Sequence, residues 1–550
     1  MNDKSWPAIS LEEAHARLTA PGRPFETTAV TVRGRPMTVW KHVPATAAQL
    51  FARARTFGPR EFLVLDGERV TYDAFIRAVT VLAADLQARG LRKGDRVALV
   101  MRNLPQWPVV LMAALLNGAI VVPLNAWWTG TELAYGILDS GARFVFADDE
   151  RAGRLTDLPP SVDQLFDDAA LKNIIGAPRA WAALPDVALP DVALDPEDNA
   201  TIFYTSGTSG APKGALGTHR NLTTNIFAQP FSAARNAVRR GQPIPEYKPR
   251  TTLVAVPFFH VVGALSNLIP TMAAGGKLIL MKKFDAREAA RLIEAERVTT
   301  AGGVPAVALA LMDQAHDHDL SSLELVTYGG APCPTALASR VRDQLHAMPG
   351  QGWGLTETSA ACTTHSAEDY LPRPHSCGPV LPVGRLKILR DGVEAAPGLV
   401  GEVWAYGPNI VKGYWNRPAA TAETFVDGWL KTGDLASRDA EGFLTMAGRA
   451  HDMVIRGGEN IYCIEVENIL TQHPAVLDAA IVGLPHPVLG EVPGAVVQVR
   501  GAVNEDDLRA FAAERLAAFK VPVRVVISNL PLPRNDGGKL AKAQLRKVFA

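Results

Sequence analysis

The chain has 550 residues, 47% of them hydrophobic and 20% charged, and its 56 Lys+Arg balance 56 Asp+Glu to a formal net charge of zero. That length exceeds what one hydrophobic core serves, so at least two domains are expected, in a composition ordinary for a soluble globular enzyme. The balanced charge argues against a nucleic-acid surface or an electrostatic membrane anchor, and four cysteines without Cys-x-x-Cys spacing (Cys333, Cys362, Cys377, Cys463) indicate neither a zinc site nor a disulfide framework.

Residues 1 to about 45, with several prolines and glycines, read as an extension wrapping the first subdomain. The first seven residues lack the apolar run of a signal peptide, and a cytoplasmic setting is expected. Residues 72–89 have helical periodicity and stop at Gly90, and 96–100 follow as a strand. A helix over 108–117 with Pro108 in its first turn, a strand at 119–122, a helix over 131–140 and a strand at 143–147 continue the alternation. The most hydrophobic run, 109–124, is interrupted by Asn117, Gly118 and Pro123 and is too short to span a bilayer. Residues 185–194 repeat Pro-Asp-Val-Ala-Leu twice, a linker duplication and not a solenoid. The alternation returns with a helix over 221–231 and strands at 252–256, 278–280 and 323–328. The fold class implied is α/β: a large N-terminal domain of parallel-rich sheets covered by helices. Motifs at strand ends then line the ligand crevice. Residues 421–442 are turn-rich and polar. A boundary at Gly448-Arg449-Ala450-His451 gives a large domain over 1–447, a hinge at 448–451 and a smaller, mobile α+β domain over 452–550. In the latter, helices are expected at 463–472 and 505–519 and strands at 476–483, 495–500 and 523–527.

Residues 204–214 read Tyr-Thr-Ser-Gly-Thr-Ser-Gly-Ala-Pro-Lys-Gly. Gly207, Gly210 and Gly214 let backbone N–H groups approach a polyanion, Thr205, Ser206, Thr208 and Ser209 add hydroxyl donors, and Lys213 adds positive charge. That is a phosphate cradle, placed between a strand at 202–204 and a helix starting near Leu222. It is not the Walker loop, since Pro212 precedes the lysine and Gly214 follows it. A flexible Gly/Ser surface loop is the bland alternative.

This run resembles the phosphate-binding loop of the adenylate-forming superfamily: acyl-CoA synthetases, peptide-synthetase adenylation domains and luciferases. Four further segments resemble its motifs in the same order: Gln351-Gly352-Trp353-Gly354-Leu355-Thr356-Glu357; Thr432-Gly433-Asp434; Gly448-Arg449 through Glu465-Val466-Glu467; and Pro533-Arg534-Asn535 with Gly537-Gly538-Lys539. The resemblance runs from about residue 65 to the C-terminus and points to the acyl-CoA synthetase branch. It implies attack of a carboxylate on the α-phosphate of ATP, giving an acyl-adenylate and pyrophosphate, then transfer to the thiol of CoA. The expected partners are a small-molecule carboxylic acid, ATP, Mg2+ and CoA, with no nucleic acid, no integral membrane segment, and a homodimer as a further expectation.

By the same resemblance, Glu357 is the Mg2+ ligand and Thr356 donates to the α-phosphate. Trp353, in place of a commoner tyrosine, flanks adenine with Gly352 and Gly354, and Gly330, Ala331 and Pro332 form the segment on which adenine and the acyl chain pack. Asp434 and Arg449 hold the ribose, and Lys539 serves the carboxylate and α-phosphate in the first step. Taken singly, these have plainer readings: a helix-capping Thr-Glu pair, a turn aspartate, surface cations and a strand-end turn. Gly457 and Gly458 line the pantetheine tunnel after the small domain rotates, and His451 stands where relatives carry Asp or Lys at the hinge. His260, in Pro257-Phe258-Phe259-His260, sits near the bound carboxylate or gates the tunnel. The absence of an aspartate in that region argues against amino acids, and small uncharged stretches at 302–305 and 358–362 suit an apolar acyl or aryl tail. An amide-bond synthetase or a carrier-protein acyl-AMP ligase on the same fold is the alternative, and a non-catalytic nucleotide binder a distant third.

Overall fold

In the computed structural model, which describes residues 6–156, 158–205, 211–329, 336–449, 452–457, 459–534 and 540–549, the helix–strand alternation closes into two sheets. The first has six strands in the order Lys213–Thr218, Asn199–Thr205, Ile120–Pro123, Arg96–Val100, Phe144–Ala147, Gln164–Phe166, all parallel except the first pair. The second has eight, in the order Ala360–Ser366, Met348–Leu355, Leu325–Tyr328, Thr300–Gly303, Thr251–Val254, Lys277–Leu280, Glu61–Leu65, Glu68–Thr71, parallel in the middle and antiparallel at both ends. Ile120–Pro123 and Phe144–Ala147 are buried along their whole length, which is why they read as unbroken apolar runs. The Gln106–Leu116 helix buries every residue from Trp107 to Leu116. It shares one core with the Tyr72–Ala88 helix and with Val97, Phe144, Leu63 and Leu278, so this core touches both sheets.

Three stretches differ from the sequence expectations. A strand stands between the phosphate-type run and the helix expected near Leu222: Lys213–Thr218 pairs antiparallel with Asn199–Thr205, and the helix begins at His219. Glycine disguises this strand, and close packing demands it, since a Cβ at Gly214 would lie 2.5 Å from Ile202 Cγ2. The polar stretch 421–442 contains the helix Pro418–Thr424 in part and the ten-residue strand Trp429–Arg438 in full. That strand is central to a seven-stranded antiparallel sheet of Ser376–Gly378, Leu444–Arg449, Trp429–Arg438, Gly401–Tyr406, Arg385–Arg390 and Val393–Glu394 in order, with Phe425–Val426 beside it. The hairpin turn at Asp427-Gly428 has positive φ at both residues, 52° and 81°, the geometry that matches strand twist. Finally, the N-terminal segment packs on the Ala228–Arg239 helix and, through Val32 and Met37 against Tyr406, on this third sheet. Leu18, Phe25 and Trp40 join Phe231, Ala234, Leu381 and Val383 in one cluster, and Arg33 donates to the carbonyls of Ile410 and Val411.

The C-terminal sheet runs Glu459–Ile461, Val454–Arg456, Gly490–Val499, Val476–His486, with Arg524–Ser528 parallel to Gly490–Val499. Helices Cys463–Leu470 and Glu505–Ala513 share one apolar cluster with it, and Leu545 of Lys542–Arg546 joins another. The architecture is therefore α+β there, with the long expected helix ending at Ala513 and followed by a 3-10 turn, Ala518–Lys520. Described helices include none long and apolar enough to cross a membrane.

Buried polar groups tie the layers together. Arg235 and Arg239 of the Ala228–Arg239 helix meet Asp369 at 3.2 and 3.1 Å, all three side chains fully buried. His219 is also fully buried; its Nδ1 accepts from the Ala47 N–H, and burial holds its imidazole down to about 4. His15 is held down to about 3 by burial and then by Arg235 and Arg239. A lowered folded value means that the unfolded chain takes up the proton first as pH falls. Stability is therefore expected to be flat above about pH 6.5 and to fall between there and about 4, by roughly 1.4 kcal/mol per pH unit for each such histidine. Denaturant midpoints measured from pH 7 to 5 check this, and His219→Gln should flatten the slope; an unchanged slope in that variant contradicts it.

Candidate active site

The hairpin of the first sheet sets one wall. Thr205 ends the Asn199–Thr205 strand directly opposite Lys213, so the two described ends of the phosphate-type run stand side by side. Tyr135 donates to the Pro212 carbonyl at 3.0 Å, and Tyr204 donates to Asp139, which also pairs with Arg417 at 2.5 Å. Ser206, Gly207, Thr208, Ser209 and Gly210 lie outside the described residues, as do Gly330, Ala331, Pro332, His451, Gly458 and Lys539.

The second wall is the hairpin of Met348–Leu355 and Ala360–Ser366, which carries Gly352, Trp353 and Gly354 on its first strand and turns through Thr356–Thr358. A Cβ at Gly354 would lie 1.6 Å from the Ala360 carbonyl oxygen, so no other residue fits. The Thr358 hydroxyl accepts from the Leu355 N–H and donates to the Ala360 carbonyl, both at 2.7 Å. Asn409 donates to the Thr358 carbonyl and Asn225 to that of Ser359. Under these restraints Ser359 and Ala360 hold φ of 50° and 82°, a strained region for residues with side chains that persists only where the surroundings over-determine it. Thr356 and Glu357 thus project, half-buried, from a rigid turn packed against the Asn199–Thr205 strand.

Glu357 is not alone. Its Oε1 accepts from the Tyr414 hydroxyl at 2.7 Å, and the Lys213 ammonium lies 5.1 Å from the Tyr414 ring centre. Burial, then the Glu357 charge, push the Tyr414 phenol well above its ordinary value, so it stays a donor. Neither Tyr414 nor the Gly413-Tyr414-Trp415 segment that carries it stood out in the sequence, because nothing in it is charged at neutral pH.

Trp353 and Asp434, read from the sequence as separate contacts to base and sugar, are bonded to each other. The Trp353 indole N–H donates to Asp434 Oδ2 at 2.8 Å, and Arg449 Nε lies 3.1 Å from Oδ1. Asp434 and Arg449 face each other on adjacent strands of the third sheet. The Trp353 ring is buried among Cys362, Cys377, Val403 and Leu444, rather than standing open. His260 sits on the loop after Thr251–Val254, its ring 4.7 Å from Phe259 and 6.3 Å from Trp127 between centres. The loop is held by Asn103, which donates to the Val256 carbonyl and accepts from the Phe258 N–H. The wide-turned helix Val262–Leu268 that follows packs against the Ala360–Ser366 strand. Gly457 lies in the C-terminal unit, donating its N–H to the Leu489 carbonyl between the Val454–Arg456 and Glu459–Ile461 strands.

Through the Lys213–Tyr414–Glu357 and Trp353–Asp434–Arg449 contacts, the described residues thus link Thr205, Lys213, Gly352, Trp353, Gly354, Thr356, Glu357, Asp434 and Arg449 across three sheets. Among the described residues no three His, Cys, Asp or Glu side chains cluster as a metal cage. A divalent ion here would rest on the Glu357 carboxylate plus the oxygens of its substrate, which is the ordinary habit of Mg2+ with phosphates.

Known proteins match this arrangement over nearly the whole chain. The AMP-binding enzyme family matches residues 50–415, and the AMP-binding enzyme C-terminal domain matches 465–539. A feruloyl-CoA synthase of Amycolatopsis sp is 36% identical over 494 residues, 88% of this chain and 94% of that protein. The o-succinylbenzoate CoA synthetase (MenE) of Bacillus subtilis, solved with the acyl-adenylate intermediate OSB-AMP, superposes with a TM-score of 0.76 at 30% identity, covering 90% and 97% of the two chains. The amide bond synthetase McbA of Marinactinospora thermotolerans superposes with a TM-score of 0.79 at 27% identity, covering 92% and 100%. The chain belongs to the AMP-binding enzymes of the adenylate-forming superfamily, on the acyl-CoA synthetase branch.

Proposed function

We propose that this enzyme is an AMP-forming carboxylate:CoA ligase whose acid is aromatic. It activates the acid with ATP and Mg2+, releases pyrophosphate, and passes the acyl group from the adenylate to the CoA thiol. The observation that carries the reading is the pinned Thr356–Glu357 turn facing the Lys213 arm, because adenylation needs negative charge neutralised where two anions meet. When bound at Glu357, Mg2+ neutralises phosphate charge as the α-phosphorus is attacked.

In this reading Thr205, Ser206, Gly207, Thr208, Ser209, Gly210 and Lys213 cradle the pyrophosphate-side oxygens, and Thr356 donates to the α-phosphate. The backbone of Gly352-Trp353-Gly354, with Gly330, Ala331 and Pro332, flanks adenine and the acyl chain. Asp434 and Arg449 take the ribose, with the Trp353 N–H fixing the aspartate's orientation. His260 stands beside the acid, Gly457 and Gly458 beside pantetheine, and Lys539 completes the first step. The domains are 1–447 and 452–550 about a hinge at 448–451, a division supported by the two family matches lying on either side of it. A cytoplasmic location and a homodimer complete the proposal, the latter checked by light scattering.

The aromatic preference rests on the CoA ligase relatives and on the rings of Trp127, Phe259 and His260 grouped at the expected acid end. AMP release is to be measured with ferulate, benzoate and octanoate, each with and without CoA. Turnover that needs both an aromatic acid and CoA is expected. CoA-independent turnover requiring an added amine would move the assignment to the amide-forming reading that the likeness to McbA supports, and absence of pyrophosphate exchange across a broad acid panel would leave only nucleotide binding.

A further inference from the structure

We propose that Tyr414 is a positioning residue for adenylation, a tie that sets Glu357 and Lys213 at one separation across the gap between the six- and eight-stranded sheets. The inference rests on the reading of Glu357 as the Mg2+ ligand. Two independent sets of contacts carry it. The side chain touches both partners: its hydroxyl donates to Glu357 Oε1 and Lys213 lies over its ring. The backbone touches both walls as well. Val411 N–H donates to the Glu357 carbonyl at 3.0 Å, while Lys412 N–H and Trp415 N–H donate to the carbonyls of Leu216 and Gly214 at 2.9 and 2.7 Å. Leu216 N–H returns a bond to the Gly413 carbonyl at 2.9 Å, and Tyr414 bridges antiparallel to Ala215. The Tyr414 N–H is taken by the Thr421 hydroxyl at 2.9 Å, so the segment has no freedom to slide.

The chemical consequence concerns the carboxylate's two oxygens. With Oε1 accepting the hydrogen bond of the Tyr414 hydroxyl, the carboxylate is restrained in rotation and Oε2 is left for a cation. The aromatic face beneath Lys213 separately holds that ammonium at the phosphate end of the crevice before nucleotide binds. Hydroxyl and ring therefore do different work, and two variants separate them.

Tyr414→Phe removes only the hydroxyl, and Tyr414→Leu removes both. ATP affinity is to be measured by calorimetry in the presence and absence of Mg2+, with pyrophosphate exchange followed as a function of Mg2+ concentration. The ratio of Mg2+-bound to Mg2+-free affinity is the readout, since general loosening lowers both together. Tyr414→Phe is expected to shrink that ratio about fivefold and to raise the half-saturating Mg2+ concentration by the same factor, with Mg2+-free affinity unchanged; Tyr414→Leu is expected to weaken Mg2+-free binding in addition. Glu357→Gln is the control. If it shrinks the ratio while Tyr414→Phe leaves it intact, or enlarges it, the tie is overturned. If Glu357→Gln itself leaves the ratio unchanged, the metal reading fails and the tie fails with it.

Discussion

Lys539→Ala is expected to cut pyrophosphate exchange by roughly 100- to 1,000-fold while largely sparing thioester formation from supplied acyl-adenylate. Only the first half-reaction builds negative charge on a phosphorane, so only it calls for an ammonium there. Lys539 lies outside the described residues, but the chain on either side of it is anchored. Arg534 bridges antiparallel to Leu540, the Ala541 N–H donates to the Pro533 carbonyl at 2.9 Å, and Arg534 pairs with Asp478 at 2.6 Å. The nearest rival cation is spoken for. Lys542 is paired with Glu467 at 3.0 Å; burial alone would lower its ammonium, yet Glu467 and Cys463 beside it carry the value up to about 12. Lys542→Ala should therefore damage the fold of the small domain without separating the two half-reactions. Equal loss of both half-reactions in Lys539→Ala would sink the assignment and, with it, the scheme in which the small domain turns between steps.

The second large effect is on stability. Asp369→Ala removes the one carboxylate between two fully buried guanidinium groups, and leaving buried charge uncompensated costs about 3–5 kcal/mol. A fall in melting temperature on the order of 10 °C is expected, with exchange activity retained in the remaining folded protein because Asp369 does not reach the site. Asp369→Asn keeps the shape and loses the charge, and should fall between. The cluster matters because it fastens the Ala228–Arg239 helix to the Ala360–Ser366 hairpin strand through Arg235, which also donates to the Thr364 carbonyl at 2.9 Å. A melting temperature within about 1 °C of the parent would show that the neighbouring Glu441, 3.4 Å from Arg239, suffices alone.

How legible each part was follows from which forces shape it. The parallel strands at 96–100 and 143–147 are buried on both faces, so their apolar runs announce them. The third sheet does not, because register shifts between Glu402 and Trp404 and between Leu435 and Ala436 break the two-residue period. The same holds for the site. Lys213 stands out by its charge within a Gly/Ser-rich run, whereas Thr356, Glu357 and Asp434 are named only through motifs that resemble those of the adenylate-forming family. The bond between Trp353 and Asp434 joins positions 81 apart, and that between Glu357 and Tyr414 positions 57 apart; only folding makes them neighbours. Glycine misled in one place: the run ending at Gly214 reads as loop to its last residue, yet from Lys213 it is already the Lys213–Thr218 strand.

That strand has a consequence for colloidal behaviour. One border of the six-stranded sheet, Gln164–Phe166, is three residues long and offers little purchase to another molecule. The opposite border is twice that length, and its outward N–H and C=O groups are masked by the backbone around Tyr414. Whatever peels that cover away uncaps a ready template for intermolecular β-pairing, so the residues that organise the phosphate end of the crevice also keep separate copies of the protein from seeding one another.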